Sequence, residues 1–316
     1  ANSRSVGSSS ATSPASAPTR PRRSGAVEPL ALPILSVRHR TTYRYRQPVA
    51  FGEHRILFRP RDSYDQRLIS ATLKITPEPS GLRWLHDVFG NCVAVATFTG
   101  RASQLTFECA ITLDHTPESA PVFPIAAHAA FYPFGYGADD IPDLSRSMER
   151  QYADPRNEVD AWARSFVPPA GRIGTQDLLA EMTRSVRRNF AYLARSEKGV
   201  QDPVTTLRLK RGSCRDFAVL MIEAVRALGM AARFVSGYLY NPRGDRDRHV
   251  GGGSTHAWVQ VYLPGAGWIG LDPTSGLLTG ESHIPLAATP SPGGAAPITG
   301  ATGPCHATLD FSNTVT

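Results

Sequence analysis

The sequence predicts an α+β protein: a small antiparallel β domain, then a core in which a cysteine-bearing helix packs on an antiparallel sheet. Three observations carry this. Segments rich in Val, Ile, Thr, Phe and Tyr alternate as short strands between residues 34 and 118. Apolar residues at helical spacing begin only after residue 156. Two further alternating strands, at 254–263 and 268–274, are joined by the tight turn Pro264-Gly265-Ala266-Gly267.

Composition narrows the function. Of the net charge of +7 over 316 residues, Arg4, Arg20, Arg22 and Arg23 against Glu28 contribute +3, so the folded part has no basic stripe for nucleic acid. No apolar run approaches the length of a membrane span. The four cysteines are scattered, without a C-x-x-C pair or a Cys/His cluster, so neither a disulfide framework nor a metal centre is expected.

Residues 1–33, rich in Ser, Ala, Pro and Arg, lack periodic apolar residues and are expected to form a disordered tail. They also lack the apolar run of a signal peptide, which favours a cytoplasmic setting while leaving export open if the chain has been processed. The β domain, 34–118, is signalled by strands at 42–46, 68–76, 92–98 and 105–113, with a turn at 87–91 where Gly90 and Asn91 tolerate positive φ. Cys92 and Cys109 fall in these strands and read as buried thiols. Residues 119–155 read as a connector, 156–285 as the helix-and-sheet domain, and 286–316 as a tail with a strand at 305–311. Helices are expected over 157–166 and 176–190, the second capped by Thr175.

The chemistry gathers around Gly212-Ser213-Cys214-Arg215-Asp216-Phe217-Ala218. Ser213 suits an N-cap and Asp216 the acidic partner of a capping box, which seats Cys214 at the first helical position. Free backbone N–H groups and the positive end of the helix dipole there favour a thiolate and can receive an oxyanion. A cysteine alone would read as a small buried hydrophobe, so the base decides. His256 lies on a strand whose Ala257, Val259, Val261 and Leu263 form the apolar face, leaving His256 with Trp258, Gln260 and Tyr262 on the other. With Leu263 to Gly267 as the loop, Tyr262 pairs with Trp268 and Trp258 with Asp272. His256 and Asp272 become diagonal neighbours roughly 7 Å apart at the backbone, and a slip of one residue would put them on opposite faces. Cys214, His256 and Asp272 fit an acyl-transfer triad that works through a thioester.

These motifs, with Ala231 to Tyr238, Phe190-Ala191-Tyr192, Gly199 to Pro203 and Asp272-Pro273-Thr274, resemble the bacterial transglutaminase-like cysteine protease family. Tyr43, Tyr45, Pro60, Asp87, Gly90 and Asn91 resemble its N-terminal region. The resemblance implies a papain-like, transglutaminase-like core with Cys214, His256 and Asp272 as the triad and no metal or organic cofactor. Gln260 stands where the family usually has Glu, and the chain continues differently after His283-Ile284. Tyr192 and Gln201 are candidates for a second oxyanion donor and Trp258 for a wall of the cleft. His249, in a glycine-rich loop, reads as solvated or as part of a gate. Cys305 reads as packing or spare. The expected activity is that of a peptidase or amidase on a peptide or protein substrate. The alternatives are a crosslinking transglutaminase and a non-catalytic peptide-binding module.

Overall fold

A computed structural model describes residues 34–116, 123–195, 197–240, 255–280 and 282–316. The expected tail at 1–33 and the loop carrying His249 lie outside them. The first element, β1 (Ile34–Arg59), is a single strand of 26 residues. It is followed by β2 (Gln66–Thr76), β3 (Gly81–His86), β4 (Cys92–Thr97) and β5 (Arg101–His115). The first half of β1 pairs with β5, and its second half, beyond a register shift between Arg44 and Val49, pairs with β4. The shift turns one strand into the edge-sharing member of two layers, as bulges commonly do. Leu35, Val37, Phe58, Leu105, Phe107 and Ile111 alternate inward to form its core.

Five α-helices follow among the described residues: α1 (Asp140–Met148), α2 (Glu158–Arg164), α3 (Thr175–Asn189), α4 (Pro203–Leu209) and α5 (Cys214–Ala227). α1 falls inside the stretch read as a connector. α3 starts where expected, but Thr175 is its first helical residue and gives its hydroxyl to the carbonyl of Ala129 (2.6 Å), so Gly174 takes the cap position. α4 was not foreseen, although Asp202, which accepts from the Thr205 N–H at 3.2 Å, and Pro203 at the first position form a helix start.

The second sheet contains β6 (Ala232–Leu239), β7 (Thr255–Leu263), β8 (Gly267–Asp272) and β9 (His283–Thr289). Its order is Leu277–Leu278, β8, β7, β6, β9, with every pairing antiparallel. α5 packs against β6 and β7. Leu220, Met221 and Val225 meet Val259 and Val261 there, and Leu178, Met182 and Val186 of α3 close the same core. Tyr238, Ile284 and Leu286 instead join the core of the first sheet. Asn91, in the turn after β3, both donates to and accepts from the backbone of Ala288 (3.1 and 2.9 Å), tying the sheets together.

The chain from residue 286 differs from the expected tail. β9 runs to Thr289, and β10 (Ile298–Thr302) and β11 (Ala307–Val315) both pair with β1. The C-terminus therefore completes the first sheet, a return whose pairing partner lies some 270 residues upstream and leaves no local signal. Each half of β1 acquires a second neighbour by it. The protein thus has a core with the cysteine-bearing helix on an antiparallel sheet, preceded by an antiparallel β region.

Candidate active site

Ser213 and Asp216 fix where α5 begins. The buried Asp216 carboxylate accepts from the Ser213 backbone N–H and hydroxyl (both 2.8 Å), Arg195 Nε (2.8 Å) and the Gln201 backbone N–H (2.7 Å). A carboxylate at this end of a helix also complements the dipole. Gly212 permits the turn to close: a Cβ there would stand 2.9 Å from that of Asp216. Cys214, half-buried and unpaired, is the first residue of the helix, as the capping signal predicts.

β7 and β8 pair with Tyr262 opposite Trp268 and Val259 opposite Leu271, the register read from the loop length. His256 and Asp272 consequently share a face, and His256 Nε2 lies 3.1 Å from Asp272 Oδ2 with both side chains buried. The Thr274 backbone N–H donates to Oδ1 of the same carboxylate (2.9 Å). The ring's other nitrogen, Nδ1, is buried and has no complete hydrogen bond of its own. Cys214 is the second side chain that acts on this ring.

Sequence reasoning missed a further histidine. His283 Nε2, on β9, lies 3.3 Å from Asp272 Oδ2. Between β7 and β9 runs β6, where Gly237 stands opposite His256. A Cβ at Gly237 would fall 2.6 Å from the Trp258 ring and 2.1 Å from the Ile284 carbonyl. Its absence leaves room above β6 for the Trp258 ring, which meets His283 edge to face with centroids 5.1 Å apart. An ionised carboxylate only accepts, so both imidazoles present Nε2–H to it, and the tautomers are assigned on that requirement.

Burial opposes a charged imidazole at His256, yet the hydrogen bonds and charges of Asp272 and Cys214 outweigh it and raise its pKa to about 10. Burial likewise opposes the Asp272 carboxylate, but His256 and His283 hold it well below the usual carboxylate range. Among the described residues, His256, Asp272 and His283 form the one group whose donor atoms lie close enough, within 4.8 Å, to hold a metal. Their contacts of 3.1 and 3.3 Å are also hydrogen-bond lengths.

The other expected site residues divide. Trp258 is fully buried and roughly parallel to the His256 ring at 6.2 Å, so it packs behind that imidazole. Tyr192 pairs with Gly212 through a two-residue parallel bridge. Burial first, then the neighbouring Cys214, pushes its phenol pKa up. Gln201 is near but committed: Nε2 gives its hydrogens to Thr206 Oγ1 and the Arg211 carbonyl (both 3.0 Å). No amide hydrogen remains for an oxyanion. Two cavities of about 400 and 560 Å³ lie against β1, and none of the residues lining either belongs to the site.

Helix, sheet and their junction define the transglutaminase-like class of papain-like folds. Residues 35–114 match the bacterial transglutaminase-like N-terminal region and residues 170–273 the transglutaminase-like superfamily core. The uncharacterized protein Rv2569c of Mycobacterium tuberculosis is 30% identical over 265 residues, covering 78% of this chain and 81% of that protein. The chain belongs to the bacterial transglutaminase-like family. A cysteine-protease candidate from Cytophaga hutchinsonii shares the fold at 18% identity, with a TM-score of 0.64 over 89% of this chain and 90% of its own. A protein-glutamine gamma-glutamyltransferase of Pseudomonas aeruginosa is 37% identical over 92 residues, 27% of this chain and 13% of that protein. No helix among the described residues is long and apolar enough to cross a membrane.

Proposed function

We propose that the chain is a cysteine-dependent amide acyl-transfer enzyme, a transglutaminase-like peptidase or amidase with Cys214 as nucleophile, His256 as proton carrier and Asp272 as its orienting base. The observation that carries this is the buried His256 Nε2–Asp272 Oδ2 contact of 3.1 Å, on a ring whose pKa Cys214 also raises. With Nε2 held by the carboxylate, Nδ1 is the nitrogen left to serve the sulfur. His256 takes the Cys214 thiol proton onto Nδ1 as the sulfur attacks.

The sulfur attacks the amide carbon, and a C–S bond forms as the carbonyl electrons move onto oxygen. The Cys214 backbone N–H at the start of α5 receives that oxyanion, with the Tyr192 hydroxyl as second donor. His256 passes its Nδ1 proton to the nitrogen, the C–N bond breaks, and amine leaves a thioester on Cys214. Water then gives a proton back to Nδ1 and cleaves the thioester to an acid and a thiolate. Hydrolysis needs only water, whereas crosslinking needs an acceptor-amine site. The similarity to a protein-glutamine gamma-glutamyltransferase favours a second reading, in which an amine resolves the same thioester. The substrate in either case is a peptide or protein amide.

A glutamine peptide incubated with a labelled amine tests this, with mass spectrometry following both the peptide and Cys214. The expected result is an acyl adduct on Cys214 and hydrolysed product, both lost in Cys214→Ala at an unchanged melting temperature. Amine incorporation without hydrolysis would favour the transferase, and turnover surviving in Cys214→Ala would overturn the reading.

A further inference from the structure

Asp272 does more in the fold than orient His256, because its Oδ2 faces two imidazoles. His256 Nε2 stands at 3.1 Å and His283 Nε2 at 3.3 Å, while Oδ1 is taken by the Thr274 N–H at 2.9 Å. All three side chains of the cluster are buried, so no solvent competes for these contacts. His283 stands on the edge strand β9, and its ring is seated against Trp258, whose own ring packs over Gly237. Room, orientation and donor are thus all supplied by the fold.

We propose that His283 is a positioning residue that donates to the carboxylate oxygen accepting from His256, fixing that oxygen and drawing off part of its charge. This rests on the triad reading above and deepens it. With His256 as the sole donor to Oδ2, that oxygen would give His256 more of its charge and bind its proton more tightly. General acid catalysis works best when the donor's pKa is near the working pH. His256 already stands high, at about 10, so a second donor on Oδ2 limits how far the carboxylate raises it. The titratable groups acting on the pair are Cys214, His283 and Tyr192, the last of which bears on Asp272 through its own charge.

Nitrogen-15 and proton NMR of the full chain reads this without substrate. At neutral pH the wild type should show two low-field Nε2–H protons, assigned to His256 and His283. His283→Ala should lose one and move the His256 proton further downfield. Iodoacetate, an anion drawn by the imidazolium, should then keep reacting with Cys214 to a pH about one unit higher. His283→Gln, which retains an N–H donor, should restore the wild-type shift and profile. An unprotonated His283 Nε2 in the wild type would overturn the proposal even if no variant folds. So would a His283→Ala protein with the wild-type His256 proton and pH profile. Failure of wild-type Cys214 to react faster than the other thiols would instead sink the triad reading itself.

Discussion

His256 carries two opposed demands in one ring. Burial strips it of water and favours the neutral form, while the carboxylate on Nε2 and the thiol acting on the same ring favour the cation and prevail. Each neighbour was visible in the sequence to a different degree. Cys214 and Asp216 were legible because a capping box is a local device, complete within four residues. Asp272 was legible because a loop length fixes a register, and a register fixes a face. His283 was not, since its place depends on a strand at the far edge, reached without a spacing to count. The nearness of Gln201 was readable from its motif. The commitment of its amide to Thr206 and Arg211 was not.

At the scale of elements, the start of α5 is the most strongly determined feature, and Asp216 is its centre. Its carboxylate gathers the cap, the chain at Gln201 and Arg195 at one buried point. Asp216→Ala should destabilise the protein by about 3 kcal/mol, since a guanidinium and two backbone N–H groups lose their acceptor. Urea unfolding would check this, and Cys214 should also react more slowly with alkylating reagents as its turn loosens. A loss below about 1 kcal/mol would mean that the cap does not hold the helix start. β1 shows the opposite relation between pattern and element. Its alternation was readable at 42–46, but its length was not, because Gln47 and Pro48 look like the end of a strand. β5, β10 and β11 supply the pairing that carries it past that point. The strand at 305–311 was seen, though not its partner.

For the whole molecule, two buried histidines set opposite limits to stability. Burial lowers the pKa of His39 to about 4 from 6.5, so the unfolded chain takes up that proton first. Stability should fall by about 3 kcal/mol from this residue as pH drops from 6.5 to 4. The raised His256 works the other way: its contribution is complete below 6.5 and is lost as pH rises through about 10. Urea midpoints across this range should peak near pH 6.5, with His39→Gln flattening the acid side and His256→Gln the alkaline side. The central claim is that Cys214, His256 and Asp272, drawn from one helix and two strands, act as one reactive unit. Competitive labelling with iodoacetamide near neutral pH, mapped by mass spectrometry, tests it most directly. Cys214 should be labelled well ahead of Cys92, Cys109 and Cys305, and His256→Ala should remove that lead while the fold survives. Equal labelling of the four thiols in the wild type, or a lead that persists without His256, would contradict it.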